Sequence, residues 1–304
     1  MTSFLPAAVQ PAARELTMTP ARRIILLLGV PVSLSLLAWT CFAIISKSSQ
    51  GNYQVSYAPV HISGGLAMNV YGGDVTLQGG VAPSAAQFTG TGTVWYGLTY
   101  SGQRPTLSTA QTATGTKINF TCADYNCALN SAVGVPPKVP VTVTSNGGDI
   151  TATGLSNATL QTNGGDITAT GLSNATLQTG GGNLTVDGLT GNVSLNTDST
   201  PNSPNGAGGD ISGTLAAQNA TVDSGGNNVD LQLTAPPSNL NITTEGGNVT
   251  LQLPGGYSYD VDNIPSPTND SVGPDNPAAI TVPTSAKSPY RVTVNTDGGN
   301  VTID

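Results

Sequence analysis

Residues 146–162 read NGGDITATGLSNATLQT, and residues 163–179 read the same seventeen letters again without one change. A decayed third copy, GGGNLTVDGLTGNVSLN, follows at 180–196. Exact tandem repetition constrains a fold more tightly than any composition, because every copy must adopt one conformation. A unit this short cannot bury its own apolar face, so copies must stack on one another. Within each unit the apolar residues alternate, Ile150 and Ala152 in one run and Ala158 and Leu160 in the next. Alternation of period two is the mark of a strand with one buried face. The sequence therefore predicts an all-β protein, a parallel β-helix or β-solenoid of about 17-residue repeats.

The same reading assigns individual positions. Ile150, Ile167 and Leu184 stack as an interior column, while Leu155, Leu172 and Leu189 fill the corner between two strand faces. Thr151, Thr153, Thr159 and Gln161 face outward. The recurrent turn is Gly-Gly-Asp/Asn, at Gly148-Asp149, Gly165-Asp166, Gly182-Asn183, Gly209-Asp210, Gly226-Asn227, Gly247-Asn248 and Gly299-Asn300. Its glycines suit positive φ, and Asp and Asn both suit turns. Successive spacings are 17, 17, 27, 17, 21 and 52 residues. The long gaps coincide with the loop-like STPNSPNGA at 199–207 and with a Pro-, Asp- and Ser-rich insertion at 254–289. Both are expected to loop out of a regular rung. The closing strand, 300–304, is left with an edge that is either bare or paired elsewhere.

Upstream of the repeats the chain divides by composition. Residues 1–23 form a polar tail with three prolines, expected to lie in the cytoplasm. Residues 24–45 are 22 consecutive uncharged residues, IILLLGVPVSLSLLAWTCFAII. At ~1.5 Å per residue such a helix crosses a ~30 Å hydrocarbon layer. Arg14, Arg22 and Arg23 precede it and only Lys47 follows closely, so the positive-inside rule places the N-terminus in the cytoplasm. The run is longer than a cleavable signal core and lacks a good cleavage site, which favours an uncleaved signal anchor at 24–46. A linker, 47–52, then leads to a β-rich capping region at 53–135 and the repeats at 136–304. The expected location is the plasma membrane, single-pass, with the C-terminal domain outside the cytoplasm.

Charge narrows the partners. Residues 48–304 carry sixteen acidic against five basic side chains, a formal net charge of −11. That sign repels nucleic acid and anionic headgroups, so no nucleic-acid partner is expected. The expected partner is a surface, matrix or glycan component. Of three cysteines, Cys41 lies in the apolar run, leaving Cys122 and Cys127 as a disulfide candidate in an exported domain. The single histidine, His61, is far from both, so no zinc set forms, and no cofactor is expected.

Several sharper motifs carry little. Calcium-binding β-rolls use nonapeptides with a GxD spacing that is missing here, and Asn replaces Asp in several turns. Thr151-Ala-Thr153 and Thr168-Ala-Thr170 resemble the T-x-T ladders of ice-binding β-helices, but along the sequence they decay after two rungs. Asn-x-Ser/Thr triplets at Asn157, Asn174, Asn219 and Asn248 arise from the repeat itself. No nucleophile motif or phosphate cradle is present, so catalysis is not expected. The alternative is a cell-envelope enzyme or sensor acting on polysaccharide, for which His61, Arg104 or Arg291 would have to meet acidic residues in one cleft.

The stretch VPVTVTSNGGDITATGL (139–155), with YRVTVNTDGGNVTI at 290–303, resembles the bacterial putative-adhesin β-strand-repeat family. The likeness covers residues 136–304 and, more loosely, 53–135. It implies a surface-exposed β-helical domain with an adhesive or scaffold role and supplies no catalytic residues.

Overall fold

A computed structural model of the protein describes residues 50–56, 62, 64–80, 88–95, 106–121, 127–197, 208–263, 279–296 and 298–304. The chain divides into two compact units, Met1–Gln50 and Gly51–Asp304. The apolar run at 24–45 lies outside the described residues, as do His61, Arg104 and Cys122. Among the described residues no helix is long and apolar enough to cross a membrane. Every regular element among them is a β-strand, twenty-one in all, in a sheet that is not closed.

Pairing follows the period. Ser156–Thr162 lies parallel to Ser173–Thr179, with Leu160 opposite Leu177. Ile150–Thr153 lies parallel to Ile167–Thr170, with Ile150 opposite Ile167. Each rung thus contributes two strands, one to each of two ladders. Two of the rungs run through their corner as single thirteen-residue strands, Leu184–Asn196 and Ile211–Asp223, which serve both ladders.

The alternation does what the sequence demands. Ile150, Ile167, Leu184, Ile211 and Leu231 are fully buried, whereas Thr151, Thr153, Thr168 and Thr170 are exposed. The corner leucines Leu155, Leu172 and Leu189 are buried too. In each exact repeat a large residue faces inward beside a small one, Ile150 with Ala152 and Leu160 with Ala158. A fully buried Leu or Ile contributes roughly 1.5–3 kcal/mol, and the core cluster runs from Ile62 to Ile303 without interruption.

The order of the rungs departs from the order of the chain at both ends. Gly65–Val70 and Val75–Gly79 pair directly with Val141–Ser145 and Ile150–Thr153. The residues between them make an excursion: Gly115–Thr121 and Cys127–Val135 lie on the outer side of that first rung. Antiparallel strands lie beyond these, Thr106–Thr112 on Gly115–Thr121 and Phe88–Trp95 on Cys127–Val135. At the opposite end Asn239–Thr244 and Val249–Gln252 pair with Arg291–Thr296 and Val301–Ile303. The segment between them lies outermost, Asp260–Asn263 on Arg291–Thr296 and Ala279–Ile280 on Val301–Ile303.

Within the 254–289 segment, Asp260–Asn263 and Ala279–Ile280 supply strands that cover the edge of Arg291–Thr296 and Val301–Ile303, which have partners on both sides, while residues 264–278 lie outside the described residues. Adjacent strands in sequence usually neighbour one another in space, and the two excursions override that tendency because each finds an unfilled edge to cover.

Candidate functional site

The repeated turn is the most regular feature of the surface. Its first glycine takes positive φ in several copies, 131° at Gly147 and 120° at Gly246, though not at Gly164. The second is glycine for a different reason. A Cβ on Gly165 would lie 2.3 Å from the carbonyl oxygen of Gly148, and one on Gly182 would lie 2.0 Å from that of Gly165. Close approach of stacked backbones, not dihedral freedom, fixes that position.

The Asp or Asn after it ties each rung to the next. The Asp149 side-chain oxygen accepts from the Asp166 backbone N–H at 2.9 Å, and Asp166 accepts from Asn183 at 2.7 Å. Asn183 accepts from Asp210 at 2.9 Å, Asp210 from Asn228 at 3.0 Å, Asn228 from Asn248 at 3.1 Å and Asn248 from Asn300 at 3.0 Å. Asp74 begins the series, accepting from Asp149 at 3.2 Å.

The ladder passes through Asn228, so the sequence register at Gly226-Asn227 is off by one. Asn227 takes the place of the close-approach glycine, and its amide donates to the Gly208 carbonyl. The period there is 18 and then 20 residues, not 17 and 21. The bond to the next backbone N–H needs only an acceptor oxygen, which Asp and Asn both supply, and the Asn228 and Asn248 amides also donate to Asp210 and Asn228 at 3.4 and 3.3 Å. Among the described residues no three His, Cys, Asp or Glu side chains gather to hold a metal ion.

Beneath the turn lies a buried row of hydroxyls. The Thr162 hydroxyl donates to the Gly148 carbonyl at 2.9 Å, Thr197 to Gly209 at 2.7 Å, Thr244 to Gly247 at 2.9 Å and Thr296 to Gly299 at 3.1 Å. Buried polar groups need such partners. Sequence alternation gave no warning of this row, because these residues occupy inward positions otherwise held by apolar side chains.

Outward, each ladder presents columns of small polar side chains. Thr76, Thr151, Thr168, Thr185, Ser212, Asp230, Thr250 and Thr302 are successive register partners. The threonine column is therefore longer than the sequence suggests, since Thr76 precedes the repeats and Thr185 extends them. On the other ladder Thr142, Thr159, Thr176, Ser194 and Thr221 align, beside Thr144, Gln161, Gln178, Asn196 and Asp223. The asparagines of the sequence triplets serve the stack. Asn157 and Asn174 adopt φ of 55° and 51°, and the Asn174 oxygen accepts from the Asn192 N–H at 3.1 Å.

The outermost rung at 254–290 is unlike this surface. It holds three tyrosines. Tyr259 is fully buried and its hydroxyl donates to the Pro254 carbonyl at 2.7 Å. Burial pushes the Tyr259 phenol above its ordinary range, helped by Tyr257 and Tyr290 beside it. Tyr290 lies over it at a centroid distance of 6.1 Å, and Tyr257 meets Tyr290 edge-on at 5.4 Å and 85°. The Arg291 guanidinium reaches the Asp260 carboxylate at 3.7 Å. This cluster was not anticipated from sequence, although Tyr257, Tyr259 and Tyr290 are three aromatics in a stretch otherwise dominated by turn residues. Of the groups an enzyme would need, Arg291 is placed here, while His61 and Arg104 lie outside the described residues. Cys127 begins a described strand, but the Cys122–Cys127 pair also lies outside what is described.

No family model matches the chain, and no curated protein matches it. Among solved structures, the chain is similar to a "putative cell adhesion protein" from Clostridium sporogenes ATCC 15579, with 11% identity and a TM-score of 0.26 over 84% of this chain and 98% of that one. It is also similar to a "putative adhesin" from Parabacteroides merdae ATCC 43184, with 13% identity and a TM-score of 0.30 over 84% of this chain and 96% of that one.

Proposed function

We propose that this chain is a single-pass membrane protein of the bacterial cell surface whose exported part is a β-solenoid that works by binding, without catalysis. The N-terminal apolar segment at 24–46 anchors it, residues 47–52 space it from the membrane, and the stacked rungs hold a polar face outward. The observation that carries this reading is the in-register parallel stacking of the rungs, 17 residues apart in the exact repeats. It spends the chain on a rigid surface of Thr, Ser, Asn and Gln columns, each rung fastened to the next by the Asp/Asn ladder. Most of these side chains offer uncharged hydroxyl and amide groups, with Asp223 and Asp230 the acidic members of the columns, which suits a matrix or glycan surface better than an anionic partner. The resemblance of 139–155 to adhesin-type repeats points the same way.

Two measurements test it. Protease added outside intact cells should cut in the 47–52 linker, releasing the rungs and leaving the N-terminal anchor in the membrane fraction. Beads coated with the full chain in detergent should be retained on cells or cell-wall material, and uncoated beads should not. Protection from external protease would sink the surface location, and absence of retention would sink the adhesive role.

A further inference from the structure

Large apolar side chains are almost absent from the described surface. The two exposed by more than a third are Tyr257, at 40%, and Ile280, at 37%, and both belong to the outermost rung at 254–290. Ile280 sits in a two-residue strand opposite Ile303, where it covers the end of the core. Tyr257 covers nothing of that kind. It stands on Tyr290, which stands in turn on the buried Tyr259, so the exposed ring is supported from the interior outward.

The backbone beneath is fixed as well. The Ser288 hydroxyl donates to the Ser258 carbonyl at 2.5 Å and accepts from the Tyr290 N–H at 3.1 Å, joining the residue after Tyr257 to its bracing partner. On the other side, Gly255 and Gly256 leave open space. An unsupported surface tyrosine would rotate freely and lose entropy on binding. This one is held before any ligand arrives.

We propose that Tyr257 is a stacking platform for a pyranose ring of an uncharged glycan, an inference that rests on the surface-binding role proposed above. Three considerations select an uncharged sugar. A protein hot spot needs a contiguous apolar patch with a polar rim, whereas among the described residues only Tyr257 and Ile280 are well-exposed large apolar side chains. The apolar C–H face of a pyranose needs only one flat aromatic, and its hydroxyls need hydrogen-bonding groups, which the same rung offers at Ser285, Lys287 and Asp260. The strongly acidic exported part disfavours anionic polymers.

The test uses the full chain in detergent, titrated calorimetrically with chitohexaose and with cellohexaose. Wild type should bind at least one of them. Tyr257→Phe should bind within about twofold of wild type, since stacking does not use the hydroxyl. Tyr257→Ala and Tyr257→Leu should each bind about tenfold more weakly, the scale of losing one stacked ring, with melting temperatures unchanged. Tyr257→Leu keeps bulk against Tyr290, so it separates stacking from support of the cap. If both variants bind as wild type does, the platform is overturned while the surface-binding reading stands, with binding placed elsewhere on the rungs. If wild type binds neither oligosaccharide, the platform is overturned as well, and protease access and bead retention still decide the wider reading independently.

Discussion

Between residues 141 and 252 each rung rests on a close likeness of itself, whereas the rung at 254–290 has no likeness anywhere in the chain. In the centre, inward positions hold Ile, Leu, Val and Ala beside the buried hydroxyl row, and no large apolar side chain is exposed among the described residues. In the outer rung a tyrosine fills the interior, its hydroxyl needs a carbonyl partner, and a second tyrosine reaches solvent. The difference teaches that repetition solves the interior problem only where there is a neighbour on both sides. An end rung must close a core on one side and meet water on the other, and it uses irregular, aromatic chemistry to do so. Its strands are also short, four residues at Asp260–Asn263 and two at Ala279–Ile280, with Asp260 and Asp262 on the outer edge. Short, charged edges discourage edge-to-edge pairing with other chains.

Removing residues 291–304 should break the comparison most severely. Asp260–Asn263 and Ala279–Ile280 would lose the strands they pair with. Limited proteolysis should then cut rapidly within 254–290 while the rungs from 141 to 233 stay protected. Uniform protection would mean that the outer rung does not depend on the inserted strands.

A glycine pair separates the regions more finely. Gly165→Val forces a side chain to within 2.3 Å of a backbone oxygen and should cost roughly 3 kcal/mol or more. Gly255→Val in the outer rung meets nothing within 4 Å and should stay within about 0.5 kcal/mol. Denaturant midpoints measure both, and equal losses would remove the distinction.

Much of the centre is legible in the sequence and much of the ends is not. Ile150, Ile167 and Leu184 announce the interior column by period and alternation, and Leu155 and Leu172 announce the corner. The excursions leave no such signal. Every slot accepts a short alternating strand, so YDVDN at 259–263 and YRVTV at 290–294 fit the same place by pattern. Which of them lies inside is decided by the core. Arg291–Thr296 buries Val292 and Val294, whereas the position matching Val294 in the outer strand is Asn263, which suits an edge. The shift to Asn228 was hidden because GGNN offers two equivalent readings, and only the stacked hydrogen bonds choose between them.

Core packing gives the next prediction. Leu172→Ala, in the middle of the stack and fully buried, should cost about 2–5 kcal/mol in denaturant unfolding. A smaller loss would show that the corner collapses around the missing atoms.

The smallest expected effect concerns alkaline pH. The Tyr259 phenol is raised in the folded state by burial and by its tyrosine neighbours. Its contribution is therefore complete below the ordinary tyrosine range near pH 10 and is lost as pH rises through the folded value, because the unfolded chain ionises first. Tyr259→Phe should cost about 1 kcal/mol at neutral pH through the lost bond to Pro254. It should also flatten the fall in melting temperature above pH 10. An unchanged alkaline slope would place that titration elsewhere.

The placement of 291–303 between an earlier rung and the outer one has a consequence for biogenesis. Rungs from 141 to 252 can be laid down in the order in which the chain emerges, each on a template already formed. Residues 260–280 emerge before the strands they must lie on, so they wait, exposed, for their own floor to arrive. Here strands made later sit inside strands made earlier, so this part of the stack closes in one concerted step in place of another step of gradual growth.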